Sequence, residues 1–426
     1  MKLNQLLILG LGAMMIMACR REGCTDQTAN NYDKKAKKDN GTCQYGNDPS
    51  NPGGGGGTNN PGGETLPIRL TGTENDIITI VDKSSNPNVA DYYLDGDWNI
   101  NADVKINPGV RIEMRPGARI YVNPNGSLDA TGTVSNKIEL FGAQNVSGYW
   151  RNISYNSNNP NNKLIYCNIS NGSDNGSSDP ATIVVSDNNQ VTIKNTTISK
   201  GSGFGVMTKG ENAKLPGFES NYINSFTKAP IRLGSWSHTN YLDNSTIVSD
   251  NEIPYIYIYG ASVKVNTFVP KMNVAYSIRD NVVIYDSHLK VEAGVETRMA
   301  ANTQIYVTAN ASIEFDGTAS NRCSFIGDLD TQTKGFWHNI FIQSNNPNNR
   351  FSHTDIIGGR TFHSYDPGFV RLDGNASLAM DNCHISLSPS IAVGGTASTA
   401  NNPGATLNNN GGNSWSDCDG GGGLLP

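Results

Sequence analysis

Charge is scarce in this chain. Only 16% of its 426 residues are Asp, Glu, Lys or Arg, and the formal net charge is −6. Lys and Arg are nowhere gathered densely enough to neutralise a phosphate backbone, which argues against a nucleic-acid partner. The densest basic run, Lys34, Lys35, Lys37 and Lys38, is flanked by Asp33 and Asp39 and reads as a solvated face. Long apolar runs are missing as well. Leu6 to Ala18 is too short to span a bilayer, and no second hydrophobic segment follows it. The familiar catalytic signatures are also lacking: there is no HExxH, no GxSxG, no P-loop and no dinucleotide fingerprint. What the chain has instead is glycine, 46 residues of it, and abundant asparagine. That mix is poor for helices and good for short strands joined by tight turns. At 36% hydrophobic, the core is expected to be thin and repeated along an axis.

Lys2 gives the first residues a positive start, and the apolar stretch ends Ile16-Met17-Ala18-Cys19. This tetrapeptide resembles the lipobox of bacterial lipoproteins, with Ile where Leu is more typical. The resemblance implies that residues 1–18 are a signal peptide and that Cys19 is acylated. The chain would then be anchored in a Gram-negative cell envelope, at the outer membrane, facing the periplasm or the surface. Several acyl chains anchor firmly, because each buried methylene contributes about 0.8 kcal/mol. Arg20 and Arg21 do not resemble the acidic surface-export signal that some lipoproteins carry, so the leaflet stays open.

Of seven cysteines, six remain after Cys19. Cys24 and Cys43 bracket a short loop that an oxidising compartment would close, a disulfide worth on the order of 3 kcal/mol. The segment 19–44 resembles the short Cys-loop modules of secreted bacterial proteins, with Cys24-Thr25-Asp26, Asn31-Tyr32-Asp33 and Asp39-Asn40-Gly41-Thr42-Cys43. Asp26, Asp33 and Asp39 are candidate Ca²⁺ ligands, since hard cations prefer carboxylate and carbonyl oxygens; the alternative is a stapled spacer without metal. Cys167, Cys323, Cys383 and Cys418 cannot be paired from sequence. Residues 45–64, rich in Asn, Pro and Gly, read as a flexible tether.

Beyond the tether the chain repeats itself. Val110 to Val122 reads VRIEMRPGARIYV, and Val295 to Val307 reads VETRMAANTQIYV, 185 residues on. Trp150-Arg151-Asn152-Ile153 returns as Trp337-His338-Asn339-Ile340 at an offset of 187. Both are followed by Ser-Asn-Asn-Pro-Asn-Asn and then a base, Lys163 or Arg350. Asp179-Pro180, Asn195 and Ile198-Ser199 recur as Asp366-Pro367, Asn382 and Ile385-Ser386. The copies cover about 92–199 and 276–386. Residues 200–275 connect them and still read as strands, favouring one continuous body over two abutting ones.

Within each copy short alternating runs such as Ile120-Tyr121-Val122 and Val191-Thr192-Ile193 are separated by Gly, Asn or Pro, with no helical period. This is an all-β pattern, closed either as a sandwich or as a solenoid. The Gly-Val phrase, its alternating Ile or Met, IYV and the Gly-Thr turn resemble right-handed parallel β-helix proteins, whose windings stack Val, Ile and Leu inside. The likeness spans roughly residues 70–418 and implies a β-helix over 65–426. At about 20–25 residues per winding it would have on the order of 14 to 17 windings. Asn at the corners fits, because it tolerates the left-handed region and its amide can bond its equivalent in the next winding.

Many such folds cleave polysaccharides. The polygalacturonase-like pattern fails here: Asn195-Thr196-Thr197 stands for its NTD element, and the adjacent Asp pair, GHG and RIK are missing. No motif supplies the two opposed carboxylates of glycoside hydrolysis. Asp95 with Asp97, or Asp328 with Asp330, are candidate ion ligands but are explained as turn acids. His338, His353 and His363 cluster in one copy only and lack metal-ligand spacing. Trp150 and Trp337 read as structural, covering the end of an interior ladder.

The best binding candidate is Ile253-Pro254-Tyr255-Ile256-Tyr257-Ile258-Tyr259. Alternation sends Ile256 and Ile258 to one face and the tyrosines to the other. If the isoleucines are interior, Tyr255, Tyr257 and Tyr259 form an outer row about 6.7 Å apart, suited to stacking on sugar rings. Tyr121 and Tyr306, duplicated, are outward by the same logic. The expectation is therefore an envelope protein that binds polysaccharide or another cell-surface ligand without catalysis. The rivals are a lyase or hydrolase of unfamiliar subtype and a structural spacer or adhesin stalk.

Overall fold

The structure is a computed structural model that describes residues 21–25, 32–39, 65–174, 176, 178–361, 368–395 and 404–420. The chain divides into a unit ending at Pro67 and a second from Ile68 to Pro426. In the first, Glu22–Gly23 and Lys38–Asp39 pair in parallel, and Cys24 is buried.

The second unit is an all-β parallel solenoid of about 13 windings. Its strands are mostly three to five residues long, as the short alternating runs require. On one wall the ladder steps Trp98, Ile120, Ile153, Ile183, Val206, Ile231, Ile256. All seven are at most 2% exposed. Each such aliphatic contributes roughly 1.5–3 kcal/mol by burial, and each winding buries its side chains only against its neighbours. At about 4.8 Å per winding the solenoid is roughly 60 Å long.

The windings are fewer than the 14 to 17 expected because they are longer. The ladder advances from Ile120 to Ile153 in 33 residues (153 − 120) but from Ile256 to Tyr276 in 20 (276 − 256). The excess sits in polar corners, where hydrogen bonds along the axis absorb it. The Asn123 amide donates to the Asn101 Oδ1 at 2.7 Å and Asn101 to Asn75 at 2.8 Å, the stacked arrangement expected of these corners.

The repeated Ser-Asn-Asn-Pro-Asn-Asn segment is such a corner. In the first copy Ser157 Oγ donates to the Gly126 carbonyl at 2.6 Å, and Asn162 accepts from the Leu128 N–H at 3.1 Å while donating to the Ser157 carbonyl at 3.0 Å. In the second copy Ser344 bonds Ala311, and Asn349 bonds Ile313 and Ser344, at 2.5, 3.1 and 2.8 Å. Trp150 and Trp337 are fully buried. Their indole N–H groups donate to equivalent carbonyls, Ser170 at 2.7 Å and Ile357 at 2.8 Å. Both motifs close the backbone.

Four walls share the work. The first runs from Ile68–Glu74 to Ile247–Ser249 and stops. There the Asn273 side chain takes the place of a strand, accepting from the Val248 N–H and donating to its carbonyl. The second runs unbroken from Ile68–Glu74 through Tyr255–Ile258 to Ser414–Cys418. The third has five strands from Ile78–Ile80 to Thr192–Lys194 and six from Thr267–Val269 to Thr406–Asn409. A short 3-10 helix, Trp236–Tyr241, lies between these sets; its Thr239 and Asn240 side chains bond the Phe268 backbone. A fourth wall opens at Ser262–Val263 and ends at Val393–Gly395.

Closing one wall and opening another shifts the phase of the repeat. Arg111–Met114 lies on the first wall, paired with Ile138–Gly142. Its equivalent, Glu296–Met299, lies on the second, paired with Ala275–Ile278.

Candidate functional site

The strand Tyr255–Ile258 alternates as its sequence demands: Ile256 and Ile258 are fully buried in the interior, and Tyr255 and Tyr257 are half-buried on the outer side. Tyr259 follows, also half-buried. The neighbours of the three rings are side chains from adjacent windings, and chiefly arginines.

Along the outer column of the second wall the register reads Tyr121, Ser154, Val184, Met207, Arg232, Tyr257, Ser277, Arg298. The Arg232 guanidinium carbon lies 4.5 Å from the Tyr259 ring centroid and 5.9 Å from that of Phe204. Arg279 lies 4.8 Å from Tyr257, and Arg298 lies 5.0 Å from Tyr255. The rings meet edge to face, Tyr257 with Tyr259 at 6.1 Å and with Phe204 at 6.4 Å. Ala181, Val184, Phe204, Met207 and Ala229 form a small apolar cluster against which Ile253 and Tyr257 pack. Each cation–ring contact is worth about 0.5–2 kcal/mol, and together they hold the rings in place. Burial raises the Tyr257 phenol above its ordinary pKa despite the pull of Arg279, so it stays a neutral hydroxyl at physiological pH.

Tyr121 and Tyr306 do not extend this row as one surface. Tyr121 shares the outer column but sits five strands away, under the Arg119 guanidinium. Tyr306 is on the fourth wall because of the phase shift. It stacks on Phe341 with centroids 4.9 Å apart, and its hydroxyl bonds Gln343.

The other described candidates are engaged structurally, except Asp330, which is exposed. Asp97 pairs with Arg119 at 2.7 Å, Asp95 with Arg69 at 3.3 Å, and Asp328 with Arg279 at 2.6 Å. His353 Nδ1 lies 3.1 Å from Ser352 Oγ, whereas His338 Nε2 faces Arg360 at 3.3 Å; the two have different surroundings. His363 lies outside the described residues. Among the described residues no three His, Cys, Asp or Glu gather as a metal site. Asp33 accepts from the Lys35 N–H and from Arg21 at 2.8 Å, and these bonds, the backbone one foremost, hold its carboxyl below the usual range. Asp39 is in the strand paired with Glu22–Gly23. Cys19, Asp26, Cys43 and the tether at 45–64 lie outside the described residues.

Cys167, Cys323, Cys383 and Cys418 are free thiols. Burial pushes Cys167 up to about 12 and Cys323 and Cys383 up to about 11. They are packing residues, protonated and unsuited to nucleophilic work.

Sequence reasoning found the tyrosines and missed the arginines. Arg232 does alternate outward between Ile231 and Leu233, but windings of unequal length hide which residues become its neighbours. No family model, curated protein or solved structure matches this chain.

Proposed function

We propose that this protein binds glycan on the outer face of the second wall, around Tyr255, Tyr257 and Tyr259, and does not cleave it. The observation that carries the reading concerns hydroxyls. Among the described residues none of the three phenols has a hydrogen-bond partner. Single tyrosines such as Tyr121 and Tyr285 also lack one, but here three stand together within five residues, whereas Tyr222, Tyr276 and Tyr306 each bond a neighbour. Three hydroxyls, each both donor and acceptor, on rings fixed by arginine and set on a rigid β-wall, match a polyhydroxylated ligand with apolar ring faces. The Cys19 anchor, the Cys24–Cys43 staple and the tether belong to the same proposal; they would hold the solenoid in the cell envelope, away from the membrane surface.

A glycan array with the full chain tests it. Tyr257→Ala is expected to weaken binding roughly three- to tenfold, the worth of one aromatic contact. Unchanged binding removes the row from consideration and places the site elsewhere; no binding to any glycan leaves a spacer. Release of reducing or unsaturated ends from any polymer overturns the non-catalytic reading.

A further inference from the structure

Two arginines among the described residues of the solenoid depart from a rule that the others follow. Nearly every one described has a carboxylate within ion-pair distance. Arg360 spends its donors on Asn302 and His338. Arg232 has neither. Among the described residues its side chain makes one hydrogen bond, from Nη1 to the Met207 sulfur at 2.8 Å, a weak acceptor. Its guanidinium rests on Tyr259 and reaches Phe204. Lys228, with its Nζ 5.4 Å from the same Phe204 ring, also has no carboxylate partner among the described residues. Two cations thus bracket one aromatic ring without counter-charge, in a chain whose net charge is −6.

An arginine held on a ring is pre-ordered, so little side-chain entropy is lost when its remaining donors are used. Those donors form a planar fork that matches a carboxylate bidentately. Resting on the glycan-binding reading above, we infer that the ligand is a saccharide bearing a carboxylate, which Arg232 takes in a forked pair with Lys228 as the second charge. The sugar ring then lies toward Tyr257 and Tyr259, whose hydroxyls have no partner in the protein. A densely sulfated chain fits less well. Only two cations here are uncompensated, and the acids nearby, Asp328 and Glu296, would repel further negative charge. An acidic peptide would leave the tyrosine hydroxyls without their natural partners.

The test compares polygalacturonate, alginate and hyaluronate with their carboxyl-reduced or methyl-esterified forms, by calorimetry at about 0.15 M salt. At least one acidic polymer is expected to bind, and its neutral form to bind about tenfold or more weakly. Arg232→Gln should lose about 10- to 100-fold in affinity, the worth of a charge-assisted pair. Arg232→Lys should fall between, keeping charge without the fork. Tyr285→Ala, on the exposed part of the fourth wall, should bind as the parent does, and thermal unfolding confirms that each variant is folded. If acidic and neutral forms bind alike and Tyr257→Ala still weakens both, the carboxylate inference fails and the glycan reading stands. If no polymer binds, both fail. If dextran sulfate, which has no carboxylate, or poly-glutamate binds as tightly as the best polyuronate, the assignment to a carboxylated saccharide is wrong.

Discussion

The two copies of the repeat agree at their corners and disagree in their interiors. The Ser157–Asn162 and Ser344–Asn349 corners make the same three hydrogen bonds to the same relative partners. Asn195 and Asn382 share a left-handed φ, 51° and 52°, as do Tyr166 and His353 at 51° and 42°. Inside, Ala130, Leu140 and Leu164 of the first copy become Phe315, Phe325 and Phe351, which stack with centroids 4.2–4.3 Å apart. The first copy instead buries Tyr155, whose counterpart is Ile342. Backbone closure leaves few solutions, whereas a core accepts any set of side chains that fills its volume. The outer surface is freer still. Asp355 pairs with Arg322, whereas their counterparts in the first copy are Asn168 and Lys137, which form no such ion pair.

The largest expected effect breaks the second copy's aromatic stack. Phe315→Ala installs the residue the first copy carries at that place. It should nonetheless cost about 3–5 kcal/mol, because Phe325 and Phe351 lose the ring between them. Denaturant unfolding reads this, and a cost below 1 kcal/mol would mean that the interior collapses freely.

A somewhat smaller effect separates both copies from the segment joining them. His238, in the short helix at Trp236–Tyr241, is 1% exposed. Its Nδ1 lies 2.7 Å from Thr208 Oγ1 and its Nε2 lies 3.2 Å from the Glu211 carbonyl. Burial lowers its pKa from 6.5 to about 4, so the folded state favours the neutral ring. The stabilisation is complete above pH 6.5 and is lost as pH falls towards 4, on the order of 3 kcal/mol in all. Amide exchange in residues 200–275 should accelerate over that window before it does in either copy. His238→Gln should flatten the response; an unchanged profile would place the acid sensitivity elsewhere.

The smallest effect is a gain. Tyr155 is fully buried, and its hydroxyl finds no partner among the described residues. Tyr155→Phe should stabilise the first copy by about 1 kcal/mol, visible as a raised unfolding midpoint. A loss would show that a bound water satisfies that oxygen.

The fold was legible because its signals are local. Alternation around Ile120 and Ile256, Gly-Thr turns and Asn corners each fix a strand or a bend without knowledge of distant residues. The 185- and 187-residue offsets made the duplication plain. The wall that each copy occupies was not legible, since closing one wall at Val248 depends on a single asparagine, Asn273, and a 20-residue winding. That shift is why Tyr121 and Tyr306, equivalent in sequence, lie on different walls. The site was half legible for the same reason. Tyr255, Tyr257 and Tyr259 announce themselves within one strand, but Arg232, Arg279 and Arg298 join them only through the register between windings.

Hydroxyl-radical footprinting of the tyrosines, with and without a saturating glycan, tests the central claim most directly. The account predicts protection at Tyr255, Tyr257 and Tyr259, with Tyr222 and Tyr285, both exposed on other walls, reacting as before. Protection at Tyr222 or Tyr285 with the row still reactive would contradict it.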